Sequence, residues 1–380
     1  MATLPKTRLA FIDLLRGWAV LVMIEVHIFN AFLLPELRNT TWFGILNYIN
    51  GLVAPSFIFI SGFVFLLASQ RKLESFRQYG SAFWKQISRI LFIWIIGYYL
   101  HIPYFSFRRI VNETTYAGWL KFFQCDVLHC IAFGLMLLFL LRLFIQNTKY
   151  YKRTLFVLGI AIVFIAAFIW QIDFLFYLPP FIAAYINSQH YSLFPIFPWL
   201  GFMVFGGYSA AAYIEARESG RERNFMKRYA SVGAVLMITG AVGRIMMEQI
   251  PALTMDVRAN PMFFFERLGI VIILLVLCWL FVEWRRTEKS FVLDISRESL
   301  MVYAVHLMVI YGEFWNEHSL AFYYGKSNGV LTCIAATFAL VLLMIGAAKG
   351  WGWLRRNHQP LARTMFWIFI IGSALWFFNR

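Results

Sequence analysis

The apolar residues of this chain arrive in blocks of about twenty, the length of helix that crosses a hydrocarbon core about 30 Å thick. Inside lipid every backbone N–H and C=O must be satisfied within the segment, so such blocks fold as helices and not as irregular chain. Eleven spans follow from this pattern, at about 11–34, 42–69, 83–106, 121–145, 154–172, 193–215, 229–250, 261–283, 299–317, 328–349 and 361–378. The expected fold is all-α, a polytopic transmembrane helix bundle occupying residues 1–380 as one domain. Only the stretch 173–192 resists the pattern, because Pro179-Pro180 interrupts a helix; it reads as a loop or a short re-entrant segment. Composition agrees: 61% of the 380 residues are hydrophobic and only 14% are charged, whereas a soluble domain is about a quarter charged. Disorder, a coiled coil and a disulfide scaffold are excluded. The four cysteines are too few and poorly spaced for a disulfide framework and read as small apolar fillers.

The net charge of +15 would suit nucleic acid if it formed one patch, but the basic residues alternate between loops instead. One side of the predicted membrane collects Lys6, Arg8 and Arg16, the groups at 71–89, 142–153, 217–228 and 285–297, and the last group at 349–363. The other side holds only Arg38, Arg108, Arg109, Lys121, Arg258, Lys326 and Arg380. Cytoplasmic loops carry such an excess, so the N-terminus is expected inside and the C-terminus outside. The basic loops then serve orientation and contact with anionic membrane lipids, and no nucleic-acid partner is expected. The first apolar run lacks a small-residue cleavage site, so no signal peptide is expected. Asn112-Glu-Thr forms a glycosylation triplet in a predicted outside loop, a pattern that chance supplies often.

Ionisable groups inside spans cost at least about 2.5–3.5 kcal/mol each and so point to function. The first span carries Asp13, Arg16, Glu25, His27 and Asn30. At 100° per residue Arg16 and His27 fall within about 20° of one face, with Asp13 about 40° away, and His27 lies about 16 Å beyond Arg16. One helix face thus joins an anion-binding group near the inner surface to an imidazole near mid-membrane. The structural alternatives are a snorkelling Arg16 paired with Asp13 and a His27 hydrogen-bonded between helices. In the fourth span Asp126 and His129 share a face, and a carboxylate there could orient the imidazole; a plugging ion pair is the alternative. Arg244, Glu248, Glu266 and Arg267 read as an outer cluster of mostly structural pairs. His306, in Ser299-Leu-x-x-Tyr303-x-x-His306, is expected nearer the cytoplasm. No zinc spacing and no phosphate-cradling glycine loop is present, so no metal is expected.

Asp13-x-x-Arg16-Gly17 with ten residues between Arg16 and His27 resembles the Arg-x10-His signature of the integral-membrane acyltransferase superfamily. Phe57-Ile-Phe-Ile-Ser61-Gly62, Asp126-Val-Leu-His129-Cys-Ile and Phe197-Pro198-Trp199-Leu200-Gly201 are similar to the branch containing the heparan-α-glucosaminide N-acetyltransferase catalytic domain. Ser299-Leu-x-x-Tyr303-x-x-His306 looks like a late element of the acyltransferase-3 relatives. The family-like core runs over about 8–312, with two further helices in 320–380. The resemblance implies an acyltransferase that takes an acyl group, acetyl above all, from cytoplasmic acyl-CoA as co-substrate. Its acceptor is then a hydroxyl or amine of a carbohydrate or glycolipid approached from outside, in a bacterial cytoplasmic membrane, and a homodimer is compatible with it. Under that reading His27 is the general base, with Asp126 and His129 orienting the acceptor or sharing the proton work. Arg16, Asp13, Arg89 and His306 belong to the acyl-CoA side, Arg being suited to bidentate phosphate contacts. Animal relatives often carry Asn at the position of His27, which makes His129 a rival base. A proton-coupled transporter would use the same kinds of residue, but it usually shows internal repeats, and none is visible here.

Overall fold

In a computed structural model the described residues are 9–70, 72–250, 255–285, 290–312 and 319–380. Lys6, Arg8, Arg71, Arg286 and Lys289 lie outside them, as does the end of the ninth predicted span. The described chain is helical, in the order α1 (Ala10–Phe32), α2 (Thr41–Asn50), α3 (Val53–Gln70), α4 (Leu73–Arg77), α5 (Ser81–Tyr99), α6 (Phe107–Glu113), α7 (Tyr116–Phe122), α8 (Val127–Phe144) and α9 (Thr148–Ile169). It continues with α10 (Pro180–Ile186), α11 (Ile196–Glu218), α12 (Glu222–Glu248), α13 (Pro261–Arg285), α14 (Phe291–Arg297), α15 (Ser299–Tyr311), α16 (Leu320–Tyr324), α17 (Val330–Asn357) and α18 (Gln359–Asn379). Seven described segments are long and apolar enough to cross a membrane: 41–70, which joins α2 and α3, then α8, α9, α12, α13, α17 and α18. Helices also occupy the other four predicted spans, as α1, α5, α11 and the shorter α15. The chain is an integral membrane protein.

Helix ends follow local chemistry. Asn147 caps α9 by accepting from the backbone N–H groups of Lys149 and Tyr150, and Ser290 caps α14 through Val292. Gly312, at φ 47°, ends α15 in the left-handed conformation that glycine adopts without a Cβ clash. The stretch 173–192, read from sequence as a loop or re-entrant piece, is a short 3₁₀ turn at Phe174–Phe176 followed by α10. Pro179-Pro180 therefore starts a helix: Pro180 takes the first helical position, where its missing N–H costs nothing.

Contacts group the described residues into two units, interleaved along the chain. The first comprises Ala54–Tyr98 and Phe123–Phe281. At its centre α11 buries nearly its whole length, packing on α9 and α8. Close backbone approach makes this possible: a Cβ at Gly206 would lie 2.0 Å from the Phe59 carbonyl oxygen, and one at Gly62 equally near that of Met203. Small residues at such crossings are how membrane helices gain contact area without a hydrophobic driving force. The second unit comprises Leu9–Val53, Tyr99–Phe122 and Val282–Arg380, with α1 packed among α14, α15 and α17. Gly17 lets α1 meet α14 closely, since a Cβ there would be 2.3 Å from the Val292 carbonyl oxygen.

Candidate active site

The second unit holds Asp13, Arg16, His27 and His306. Asp13 is buried; Ser296 of α14 donates to its Oδ1 at 3.3 Å, and the Arg16 guanidinium stands 3.7 Å from the same oxygen. Asp13 thus anchors α1 to α14 and holds Arg16, which stays partly exposed with a side-chain accessibility of 17%. That pairing is the structural alternative foreseen for Arg16, and it also fixes the guanidinium in place.

Eleven residues along α1, His27 is half-buried and meets α15. Its ring centroid is 5.2 Å from that of His306, tilted by 50°, and 5.8 Å from that of Tyr311. The Tyr311 hydroxyl lies 3.4 Å from His27 Nδ1. His306 is fully buried. It is not nearer the cytoplasm than His27, as its position in its span suggested, but beside it, where α15 packs on α1. Its Nδ1 donates to the Val302 carbonyl at 2.8 Å. A carbonyl can only accept, so the neutral ring keeps its lone pair on Nε2. Beyond His27, Arg38 donates to the carbonyls of Phe29 and Asn30 at 3.0 and 2.7 Å and closes the free end of α1. Sequence reading passed over Arg38, because a lone basic residue in a loop gives no sign of the carbonyls it will meet. Glu25 points elsewhere, accepting from Asn50 Nδ2 at 3.4 Å.

Asp126 and His129 belong to the first unit. Asp126 is the N-cap of α8 and His129 sits three positions on, in a reciprocal capping box. His129 Nδ1 accepts from the Asp126 backbone N–H at 3.2 Å, so the neutral ring carries its proton on Nε2. The backbone amide, rather than the carboxylate foreseen from sequence, sets the tautomer. Around this fully buried imidazole stands an aromatic cluster from α5 and α10: the Tyr98 ring lies 4.3 Å away, centroid to centroid. Trp94 Nε1 donates to the Tyr185 hydroxyl at 2.7 Å, which pairs with the Tyr98 hydroxyl at 3.0 Å. Gly97 leaves room for the imidazole, since a Cβ there would come within 2.9 Å of it. Nothing in the spacing of these aromatics along the sequence marked them as partners of His129. Arg89 of α5 is exposed, with no anion partner among the described residues. Arg244 pairs with Glu266 at 2.8 Å and Glu248 at 2.9 Å, as expected for structural pairs. Among the described residues no group of three metal-binding side chains occurs.

One unit of this helical membrane protein thus pairs a half-buried imidazole with a buried one, and the other sets a buried imidazole among tyrosines. Residues 8–246 match the family described as heparan-alpha-glucosaminide N-acetyltransferase, catalytic. The match spans more than half of the chain, and the chain belongs to this family of membrane acetyltransferases. No curated protein matches it. The matched stretch contains Asp13, Arg16, His27, Arg89, Asp126 and His129, while His306 lies beyond it.

Proposed function

We propose that this protein transfers an acyl group, most simply acetyl, from cytoplasmic acyl-CoA to an amine or hydroxyl of a carbohydrate or glycolipid on the opposite side of a bacterial cytoplasmic membrane. The observation that carries this reading is the placement of His27 against His306, with Arg16 held by Asp13 on the same helix. Coenzyme A carries several phosphates, and a guanidinium fixed near the inner surface suits one of them. About 16 Å of helix separates Arg16 from His27, a span the pantetheine arm can bridge to bring its thioester to the imidazole. There His27 takes the proton of the acceptor as its nitrogen or oxygen attacks the thioester carbonyl carbon. The carbon–sulfur bond breaks, and the departing thiolate receives a proton in turn. Base catalysis of this kind contributes about 10²–10⁴-fold. His129 fits the base role less well, because its Nδ1 lone pair is occupied and its Nε2 carries hydrogen; that geometry suits a hydrogen-bond donor.

The test is thioester consumption by the purified protein, given acetyl-CoA and a glucosaminide acceptor. His27→Ala should lower kcat by about a hundredfold or more while leaving donor affinity unchanged. Arg16→Ala should raise KM for acetyl-CoA with a smaller effect on kcat. Equal losses of donor affinity in the two variants would overturn this division of labour.

A further inference from the structure

We propose that His306 is the proton-holding partner of His27, a positioning residue that accepts a proton through His27 each time the acceptor is deprotonated. The inference rests on the function proposed above. Its starting point is an atom: Nε2 of His306 is buried and has no hydrogen-bond partner among the described residues. A buried acceptor left unpaired is costly, and native structures retain few of them without a reason. Here the reason follows from the neighbours. The Val302 carbonyl holds a hydrogen on Nδ1, so Nε2 is the bare basic nitrogen of the ring. The ring packed against it is His27, with centroids 5.2 Å apart.

The two imidazoles differ in a way that gives each a task. His306 is locked in one tautomer by a carbonyl. The Tyr311 hydroxyl lies 3.4 Å from His27 Nδ1 and 3.5 Å from the His27 carbonyl oxygen, and its single hydrogen can go to either, so His27 is not held to one tautomer by an obligate acceptor as His306 is. His27 can therefore gain a proton at one ring nitrogen and release one from the other. As the acceptor attacks the thioester carbonyl carbon, its proton passes to His27, and a ring hydrogen of His27 is relayed to Nε2 of His306 through one intervening water, since the two rings, with centroids 5.2 Å apart, are not in direct hydrogen-bond contact. When the carbon–sulfur bond breaks, the path runs backward: His306 returns its proton to His27, and His27 protonates the thiolate. No proton is left over and both rings end neutral. The remaining polar side chain beside His306 on its own helix is Tyr303, with ring centroids 5.8 Å apart. α17, which also packs on α15, carries no charged side chain before Lys349.

His306→Asn tests the proposal, because its amide N–H can keep the bond to the Val302 carbonyl while the basic nitrogen is lost. In the purified protein it should lower kcat about 10- to 100-fold, the cost usual for a group acting through a neighbour, with KM for acetyl-CoA and acceptor both within about twofold of the parent. A kcat within about threefold of the parent would overturn the proposal, as would a loss confined to KM. Protein labelled with ¹⁵N-histidine gives a second readout that needs no turnover. The His306 signals, assigned by their loss in His306→Asn, should show a protonated Nδ1 and a bare Nε2; a hydrogen on Nε2 would also overturn it. A parent protein that consumes no thioester yet shows this tautomer would count against the acyltransferase reading rather than against the arrangement of the imidazoles.

Discussion

At the level of single residues, the polar groups of this protein are held by neighbours that decide what each can do. Asp173 is an example away from the membrane spans. It caps the turn after α9 by accepting from the Leu175 backbone N–H at 3.0 Å, and its other partner is His190 Nε2 at 2.7 Å. The hydrogen bond from His190 holds its carboxyl below the usual carboxylate range, aided by the bond from the Leu175 amide. The folded state therefore favours the ionised form, and its contribution is fully present above the unfolded value of about 4. It is lost as pH falls through the lower folded value. Asp173→Asn should thus lower the melting temperature slightly at neutral pH, and the difference should vanish as the pH drops below roughly 4. A difference that grows on acidification would mean the carboxylate is not the stabilising form. His306 and His129 show the same dependence on neighbours: both are buried imidazoles in spans, yet a carbonyl leaves one a base and an amide leaves the other a donor.

Helices in this protein meet through glycine, so a methyl group at a crossing has nowhere to go. Gly206 of α11 faces the Phe59 carbonyl oxygen, and a Cβ would sit 2.0 Å from backbone, which cannot rotate aside. Gly206→Ala should force α3 and α11 apart and lower stability by about 1–3 kcal/mol or more, read as a drop in melting temperature in detergent. Gly220, which has nothing within 4 Å of its added Cβ but a φ of 68°, offers a contrast in which backbone strain acts alone. An unchanged melting temperature for Gly206→Ala would show that the helices are not packed this closely. Elements also explain where sequence reading reached and where it stopped. The apolar runs located the long helices, because lipid demands continuous hydrogen bonding, but missed several of their ends, as at α12, which starts at Glu222 and not near 229. They did not show the break at Gly51 and Leu52 between α2 and α3, nor the short α14 ahead of α15.

At the scale of the whole chain, contacts between segments far apart in sequence tie each unit together. Arg258, from one predicted outer loop, donates to Ser188 in another at 3.3 Å. Arg355 pairs with Glu298 at 3.0 Å between two predicted inner loops. The Leu34 amide donates to the Asn328 carbonyl at 3.0 Å, and Phe107 meets Phe378 near the C-terminus. If the basic loops on the inner side receive acyl-CoA, then coenzyme A at a hundred times its Kd should stabilise the protein by about 2.7 kcal/mol and raise its melting temperature. Arg16→Ala should diminish that rise. An equal rise in both proteins would place the phosphates elsewhere.

Sequence by itself determined that this chain lives in a bilayer and where its long helices run, because hydrophobic length acts locally and needs no partner. It also singled out Arg16 and His27, since a charge in lipid is costly wherever the helix packs. What only tertiary structure decided is which groups meet: Asp13 with Ser296, His27 with His306, and His129 with Tyr98. Those pairings join residues as much as 283 positions apart, and whether an imidazole is a base or a donor depends on the one carbonyl or amide that packing sets against it.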